Sequence, residues 1–314
     1  MNREKFLKSI FFRGARKILW DNGFLRILTR NMSDHAFLPI NYWWQRLEKL
    51  DLENPRTYTD KLQWMKANYR NDVTTQCTDK YLVREHITSV MGPSGERILN
   101  ELYGVYANPD DINLDLLPKS FILKANHGSG WNIIVNDKDA INWGKCKYKM
   151  RKWLKSNYYY AGHEYQYKNI SPRIICEKYL RNKDGSEILD YKFMCFNGKP
   201  ETVWIDYDRH TNHKRNFYTI EGRPLYYVSD EPADYSITFS KPDNYEEMIK
   251  IAEKLSKGFP HVRIDLYNVD GQILFGEMTF TSWGGCSYFG TSRLNKMWGD
   301  LFPFDFVTNQ KDQG

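Results

Sequence analysis

Long apolar runs and paired cysteines are both absent from this 314-residue sequence. No stretch approaches the length of about 18 apolar residues that a membrane-spanning helix needs, so such a helix is excluded. The cysteines are odd in number and include no Cys-x-x-Cys pair; they are Cys77, Cys146, Cys176, Cys195 and Cys286. This pattern predicts reduced thiols in a cytoplasmic protein, and it indicates neither a zinc site nor a disulfide framework.

Positive charge is concentrated in one short segment. Residues 1–30 contain eight Lys or Arg side chains against two acids, and they account for the whole net charge of +6. The rest of the chain is balanced, which argues against a nucleic-acid partner. The segment is patterned as an amphipathic helix, and two interpretations stay open. It could lie on the anionic inner face of the plasma membrane, or it could pack on the main domain with a solvated basic face.

Helices and strands are predicted to mix without strict βαβ alternation, which favours an α+β fold. Helices are expected over 41–70, about 80–90, 145–156 and 245–257, with Thr59-Asp60 and Asp79 as N-terminal caps. Strands are expected as two hairpins and as three successive runs, over 121–125 with 133–135, 262–268 with 272–280, 173–180, 189–197 and 201–207. The pattern predicts a basic helical extension over 1–54 and a main domain over 55–314.

A lysine and a glycine-containing loop meet at the end of one predicted strand. Lys124 ends the strand, and Gly128 and Gly130 follow in the loop. Glycines let backbone N–H groups approach an anion closely, and an ammonium group adds charge, which is what a triphosphate needs. The stretch is not a Walker A sequence, because the lysine precedes the glycines. An ordinary hairpin turn with an exposed lysine remains the alternative.

Two carboxylates can converge in the last predicted hairpin. Residues two apart on a strand point to the same side, so Arg263 shares a face with Asp265, and Glu277 shares one with Thr279. Carboxylate and hydroxyl oxygens suit Mg²⁺, and an arginine beside them can stabilise charge on a transferring phosphoryl group. The alternative is a solvated sheet face with a surface salt bridge.

A third set lies on the middle strands. Residues 176–180 end one strand, and Asp190 shares a face of the next with Lys192. A strand that stops pairing can offer free N–H and C=O groups to the edge of an adenine ring. From these residues alone, an edge strand with exposed charges is the simpler interpretation.

Taken in this order, the three sets resemble the ATP-grasp superfamily, and most closely its TupA-like branch from surface-polysaccharide biosynthesis. The resemblance covers roughly residues 55–305, and its most specific pieces are 121–134, 190–200, 215–218 and 276–280. It implies an α+β ATP-grasp fold, in which two subdomains clasp ATP, with a short helical N-terminal extension.

The resemblance also implies roles for the matching residues, with ATP and Mg²⁺ as cofactors. Phosphate, adenine and ribose contacts would come from Lys80, Lys124, His127, Gly128, Ser129, Gly130, Glu177, Lys178, Leu180 and Asp190. Lys192 would reach the acyl phosphate, Arg263 would act as an electrostatic clamp, and the metal ligands would be Asp265, Glu277 and Thr279. Thr279 departs from the family pattern, which often has Asn at this position.

The implied enzyme is an ATP-dependent carboxylate–amine ligase that forms an amide through an acyl phosphate. The family context implies a uronic-acid-containing glycan of capsule or lipopolysaccharide, or its precursor, and an amino acid or amine. Residues 208–216 cluster cations, so Arg209, His210 and Arg215 are predicted to bind substrate, since arginine suits carboxylates. A solvated basic loop is the alternative.

Three other functions compete with ligation. A nucleotide-sugar glycosyltransferase is suggested by the Asp-x-Asp pattern of Asp206 and Asp208. A sugar kinase would use the same ATP site with a different acceptor. A non-catalytic basic adaptor would leave the lysine–glycine loop and the Asp265/Glu277 pair without explanation.

Overall fold

The computed structural model describes residues 29–208, 212–226, 232–287 and 292–303. They contain two antiparallel sheets. The small sheet has the order β1-β4-β2-β3, with β1 (Leu102–Tyr106), β2 (Phe121–Ala125), β3 (Asn132–Val135) and β4 (Ile174–Lys178). The large sheet has the order β10-β9-β5-β6-β7-β8, with β5 (Asp190–Phe196), β6 (Lys199–Tyr207), β7 (Lys214–Thr219), β8 (Pro224–Leu225), β9 (His261–Val269) and β10 (Gln272–Thr279).

The helices cover these sheets from several sides. They are α1 (Asp34–Arg46), α2 (Tyr58–Asn68), α3 (Asp72–Thr78), α4 (Val83–Met91), α5 (Pro93–Arg97), α6 (Trp143–Leu154), α7 (Tyr159–Gly162), α8 (Tyr245–Ser256) and α9 (Ser292–Leu301). Short 3₁₀ turns lie at Pro109–Asp111, Leu114–Leu116, Tyr165–Tyr167 and Ser282–Gly285. The mixture of helices and antiparallel sheets confirms the predicted α+β class.

Local turn chemistry fixes two hairpins of the large sheet. Asn197-Gly198 joins β5 to β6 with φ values of 49° and 75°, and Asp270-Gly271 joins β9 to β10 with 49° and 82°. Type I′ turns need positive φ at both central residues, which Asn, Asp and Gly adopt most readily. The two-residue turns set the pairing next to them, and a one-residue register shift farther along each hairpin, between Phe275 and Glu277 and between Met194 and Cys195, sets the pairing beyond.

The two faces of the large sheet differ in chemistry. One face packs under α8 and α4, where Phe193 and Ile264 contact a core that includes Met248. Directly opposite residues of neighbouring strands point to the same side. Asp265 lies opposite both Glu277 and Lys192, so a row of charged side chains crosses the other face.

The same face becomes apolar towards one end of the sheet. There Trp204 and Phe217 pack against α2 and α9 through Tyr58, Trp64 and Trp298. A fully buried large apolar side chain stabilises a fold by roughly 1.5–3 kcal/mol. This cluster therefore gives the charged row a rigid apolar base.

One predicted helix cap was wrong, and the other caps a turn that precedes its helix. The N-cap of α2 is Thr57, whose hydroxyl accepts from the backbone N–H of Asp60 while the Asp60 side chain accepts from that of Thr57. This is a capping box, which satisfies two helix-end N–H groups at once. Asp79 lies at the end of α3, and its side chain accepts from the N–H groups of Tyr81 and Leu82 as an N-terminal cap does, but the regular helix α4 begins only at Val83.

The described part of the N-terminal extension packs against the rest of the chain. Phe37 and Leu38 of α1 are fully buried. Tyr42 Oη lies 2.9 Å from Thr59 Oγ1, and Arg70 donates to Asp34 at 2.7 Å. Most of the predicted basic helical segment, residues 1–28, lies outside the described residues. None of the helices that the structure describes has the length and apolarity to cross a membrane.

Candidate active site

A cleft of about 410 Å³ lies between the two sheets. The small-sheet side and its neighbouring turn contribute six of the predicted residues: Lys80, Lys124, Ser129, Gly130, Glu177 and Leu180. The large sheet contributes six more: Asp190, Lys192, Arg215, Arg263, Asp265 and Glu277. The fold thus gathers at one place residues that are up to about two hundred positions apart in the sequence.

Paired, partly exposed charges line the small-sheet side. Lys124 at the end of β2 donates to Glu177 on β4 at 2.8 Å, and Arg84 of α4 lies 3.5 Å from the other carboxylate oxygen. The Lys124 and Arg84 side chains are 27% and 22% exposed. They therefore remain accessible to a ligand that enters the cleft.

The glycine loop after β2 depends on the small size of its residues. Gly130 has φ +70°, and a Cβ on Gly128 would lie 2.5 Å from the Trp131 ring. Ser129 and Gly130 are exposed at the edge of the cleft. Lys80 donates to the carbonyl of Gly128 at 2.8 Å, and its Nζ lies 3.8 Å from Glu277 Oε1. One lysine therefore connects the loop with the large sheet.

A buried ion network occupies the large-sheet side. Asp265 accepts from Arg263 Nε at 2.6 Å and Nη2 at 2.7 Å, and from Lys192 at 2.9 Å. Lys192 also donates to Asp190, and the Lys192 and Asp265 side chains are only 7% and 4% exposed. Two cations and two carboxylates thus compensate one another away from water.

Burial by itself disfavours the charged form of each group in this network. Burial would raise the pKa of Asp265, but the charges of Arg263 and Lys192 outweigh it and hold this pKa below its usual range. Burial would lower the pKa of Arg263, yet the Asp265 carboxylate raises it above its usual range. Both partners therefore stay ionised at neutral pH.

The donor set at Glu277 and Asp265 fits a magnesium ion. Both are carboxylates, and they lie directly opposite each other on β10 and β9. Among the described residues, no three His, Cys, Asp or Glu side chains are arranged to hold a metal. Mg²⁺ is commonly bound by one or two carboxylates while substrate phosphates and waters complete its shell. Asp265 already accepts three hydrogen bonds, which leaves about one of its roughly four acceptor positions.

Some predicted site residues do not reach the cleft. The His127 ring is buried, and its two nitrogens lie 3.0 Å from the Asn126 side chain and the Trp153 carbonyl. Burial lowers the pKa of His127, which favours a neutral structural ring. The Lys178 backbone N–H donates to the Glu101 carbonyl and its C=O accepts from Asn100, so neither group is available to adenine.

Thr279 also stands apart from the cleft lining. Its hydroxyl oxygen is buried and has no hydrogen-bond partner among the residues that the structure describes. Gly128 acts through its carbonyl, which accepts from Lys80. The predicted substrate residues Arg209 and His210 lie outside the described residues.

The sequence left several cleft residues without a role, among them Arg84 and Trp204. Trp204 lies directly opposite Lys192, and the alternation along β6 puts it on the same face as Asp206, which is a signal that could have identified it. Asp206 accepts from Arg215 at 2.6 Å. Burial would raise the Asp206 pKa, but the charges of Arg215 and Lys192 hold it at about 2. Asp206 thus carries its negative charge beside Arg215 in a buried position.

Comparison with known proteins adds the family. A protein-family model described as TupA-like ATP-grasp matches residues 60–303. No curated protein matches the chain. Among solved structures, the D-alanine–D-alanine ligase from Bacillus anthracis is 15% identical with a TM-score of 0.43, over 82% of this chain and 76% of that one.

Two further structures are similarly distant. The ATP-grasp ligase PsnB, complexed with a phosphomimetic variant of its minimal precursor, Mg and ADP, is 11% identical with a TM-score of 0.42, over 81% of this chain and 66% of that one. A phosphoribosylglycinamide synthetase from Anaerococcus prevotii is 13% identical with a TM-score of 0.35, over 71% and 48%. The chain thus spans less than two thirds of each of these two structures.

The family match covers well over half of the sequence and includes both sheets and the cleft. It confirms the predicted ATP-grasp fold and an enzyme of the ATP-dependent ligase class. The chain belongs to the TupA-like ATP-grasp family.

Proposed function

We propose that this chain binds ATP with Mg²⁺ in the cleft and activates a carboxylate as an acyl phosphate, which an amine then converts to an amide. The observation that carries the proposal is the row of Glu277, Asp265 and Lys192 across three neighbouring strands, facing the cleft that the glycine loop borders. A surface salt bridge would not be buried to this degree.

The small-sheet side binds the nucleotide. Lys124 and Lys80 offer ammonium groups to the phosphates, and the exposed backbone of Ser129 and Gly130 offers N–H groups. The adenine edge lies towards Leu180, because the Lys178 backbone groups are already bonded within the protein. The nucleotide is therefore bound by partly exposed side chains, from which ADP can dissociate.

Asp265 and Glu277 are the residues that would hold Mg²⁺. When bound, the metal neutralises charge on the phosphoryl group that is transferred. Asp190 serves mainly to hold Lys192, since the two are paired in a buried position. Thr279 is left out of the metal shell because its hydroxyl does not line the cleft.

The reaction has two balanced steps. A carboxylate oxygen attacks the γ-phosphorus and the bond to ADP breaks; an amine then attacks the acyl carbon, loses a proton, and inorganic phosphate leaves. Lys192 and Arg263 supply fixed positive charge where negative charge develops. Because Asp190 and Asp265 orient them beforehand, little reorganisation is required.

The carboxylate substrate is a uronic acid of a surface glycan or its precursor. This part of the proposal depends on the polysaccharide context that the family resemblance implies. Trp283 at the cleft supports it, since an indole ring can stack on a sugar ring. Residues 1–30 would hold the enzyme at an anionic membrane surface where lipid-linked precursors lie.

Nucleotide binding tests the proposal directly. We expect MgATP to raise the melting temperature of the wild type and of Lys178→Ala, which changes an exposed lysine beside the cleft, but not of Lys124→Ala. Stabilisation by a UDP-sugar without any by ATP would overturn the proposal and favour glycosyl transfer.

Product mass distinguishes the remaining alternatives. Incubation with ATP, a glucuronate oligosaccharide and a panel of amines should release ADP and give a product that has lost one water relative to its two substrates. A sugar acceptor that gains a phosphoryl group would establish a kinase instead. ADP release equal in the wild type and Asp265→Asn would exclude the assigned site.

A further inference from the structure

Arg215 is a nearly buried cation that lines the cleft, and only its Nε atom is hydrogen-bonded within the described part of the chain. Its Nε donates to Asp206 Oδ1 at 2.6 Å, and its side chain is only 9% exposed. No group among the described residues accepts a hydrogen bond from Nη1 or Nη2. Arg263 differs, because three of its N–H groups are already bonded to Asp265 and Ser282.

Two indole rings form the wall beside this guanidinium. Trp204 and Trp283 stack with centroids 4.8 Å apart and planes 16° apart. The Arg215 Cζ lies 5.2 Å from the Trp283 centroid and 5.9 Å from that of Trp204. Asp206 fixes one edge of the guanidinium and the rings flank it, so its remaining N–H groups are directed at the cleft that Arg215 lines.

Such an arrangement fits a planar anion. The terminal N–H groups of Arg215 border the cleft, and a carboxylate can accept from two of them in one bidentate contact. An arginine held on its Nε side by an aspartate presents its outer edge in a fixed orientation. The site is therefore built for a carboxylate group of a substrate.

That carboxylate is not the one that reacts. Conversion to an amide removes the charge of the reacting carboxylate, which would leave the Arg215 end groups unpaired again at the end of the reaction. Asp265 on β9 and Arg215 on β7 are also separated by β5 and β6. Three strand spacings place their backbones about 14 Å apart. A charge that persists through catalysis belongs on Arg215, and the reacting group belongs near Asp265.

We propose that Arg215, held by Asp206 and flanked by Trp283, binds a carboxylate of the amine substrate, which makes that substrate an amino acid. This inference rests on the proposed ligase function. An amino acid has the two ends that the site requires, a carboxylate for Arg215 and an amine that reaches towards the acyl phosphate near Lys192.

Binding of amino acids in the presence of MgADP tests the inference without knowledge of the glycan. The probes are the twenty protein amino acids and the carboxamide of each one that binds, measured by thermal shift and calorimetry. We expect at least one amino acid to bind the wild type and its carboxamide to bind at least tenfold more weakly. Arg215→Gln should lose this preference and still bind MgADP.

The controls separate this inference from the function on which it rests. Arg223→Gln changes an arginine that is 80% exposed in the turn between β7 and β8, and it should behave as the wild type. The double variant D206N/R215Q removes both charges together, in case the single variant does not fold. Failure of the wild type to bind MgADP or MgATP would contradict the proposed function. Nucleotide binding with no amino acid bound, or with carboxamides bound equally well, would overturn only the role of Arg215.

Discussion

The two sides of the cleft use charge in different ways. On the small sheet, Lys124 and Arg84 share one carboxylate and remain more than a fifth exposed. On the large sheet, Lys192 and Arg215 are less than a tenth exposed, and each is bonded to a buried aspartate. Exposed ion pairs contribute little to stability and can exchange partners, whereas separating a buried ion pair costs much more free energy. The small sheet is suited to bind and release a ligand, and the large sheet is suited to stay fixed.

On the large-sheet side, Asp265→Asn should cause the largest loss of stability and activity. It leaves Lys192 and Arg263 without their shared partner in a buried position, and loss of one member of a buried ion pair costs about 3–5 kcal/mol. We expect that loss in urea unfolding together with loss of ADP release. The control is Asp270→Asn, at the exposed turn of the same hairpin, where the asparagine also accepts positive φ. Equal stability of the two variants would contradict the view of a fixed network.

Low pH should weaken the ion pair of Asp206 and Arg215, which also lies on the large-sheet side of the cleft. The Asp206 pKa is held at about 2, against about 3.9 in an unfolded chain. A carboxyl group whose pKa is lower in the folded protein stabilises the folded state at pH values above its pKa in the unfolded chain. This contribution is lost as the pH falls through the pKa of the group in the folded protein. The difference in unfolding free energy between the wild type and Asp206→Asn should shrink by about 2 kcal/mol as the pH falls from 4 to 2. Urea titrations at each pH measure it, and parallel curves would exclude the pair.

On the small-sheet side, Lys124→Ala should weaken the binding of MgATP while changing the stability of the fold very little. Hydrogen bonds to charged groups contribute about 1.5–3 kcal/mol, so MgATP should bind roughly ten- to a hundredfold more weakly. Unfolding free energy should change by less than about 1 kcal/mol, because the ion pair with Glu177 is partly exposed. Calorimetry and urea unfolding give both values, with Lys178→Ala as the matched control. A large loss of stability in Lys124→Ala would contradict the proposed difference between the two sides of the cleft.

The smallest effect is expected at Thr279. Its buried hydroxyl has no partner among the described residues, so Thr279→Val should leave stability unchanged or raise it by up to about 1 kcal/mol. The thermal shift with MgATP should be the same as in the wild type. A smaller shift in the variant would instead support the predicted metal-ligand role of this residue.

Local chemistry explains what the sequence could predict. The Asn197-Gly198 and Asp270-Gly271 turns have the residues that type I′ geometry requires, so both hairpins and the pairing next to each turn could be predicted from the sequence. That pairing alone would place Asp265 opposite Gly276. A bulge between Phe275 and Glu277 shifts the register by one residue, so that Asp265 faces Glu277. The convergence of these two carboxylates therefore depends on a bulge that the turn sequence does not predict.

Other features depend on contacts between distant segments. The Lys178 backbone is bonded to residues 100 and 101, more than seventy positions earlier, so its hinge role could not be judged from its own strand. His127 lies within the loop motif, yet packing against Trp153 turns its ring inward. No local pattern predicted that Trp283 would stack on Trp204, because the two meet only when the strand and the following turn are folded together.

The charged row also limits how this enzyme can change over time. Asp265 has three hydrogen bonds from two cations, so a change at any one of these positions is tolerated only if another changes with it. Arg215 and Trp283 lie beyond that network and are not bonded to Asp265. Single substitutions in the turn that carries Trp283 can therefore reshape the cleft, whereas the residues of the charged row can change only together.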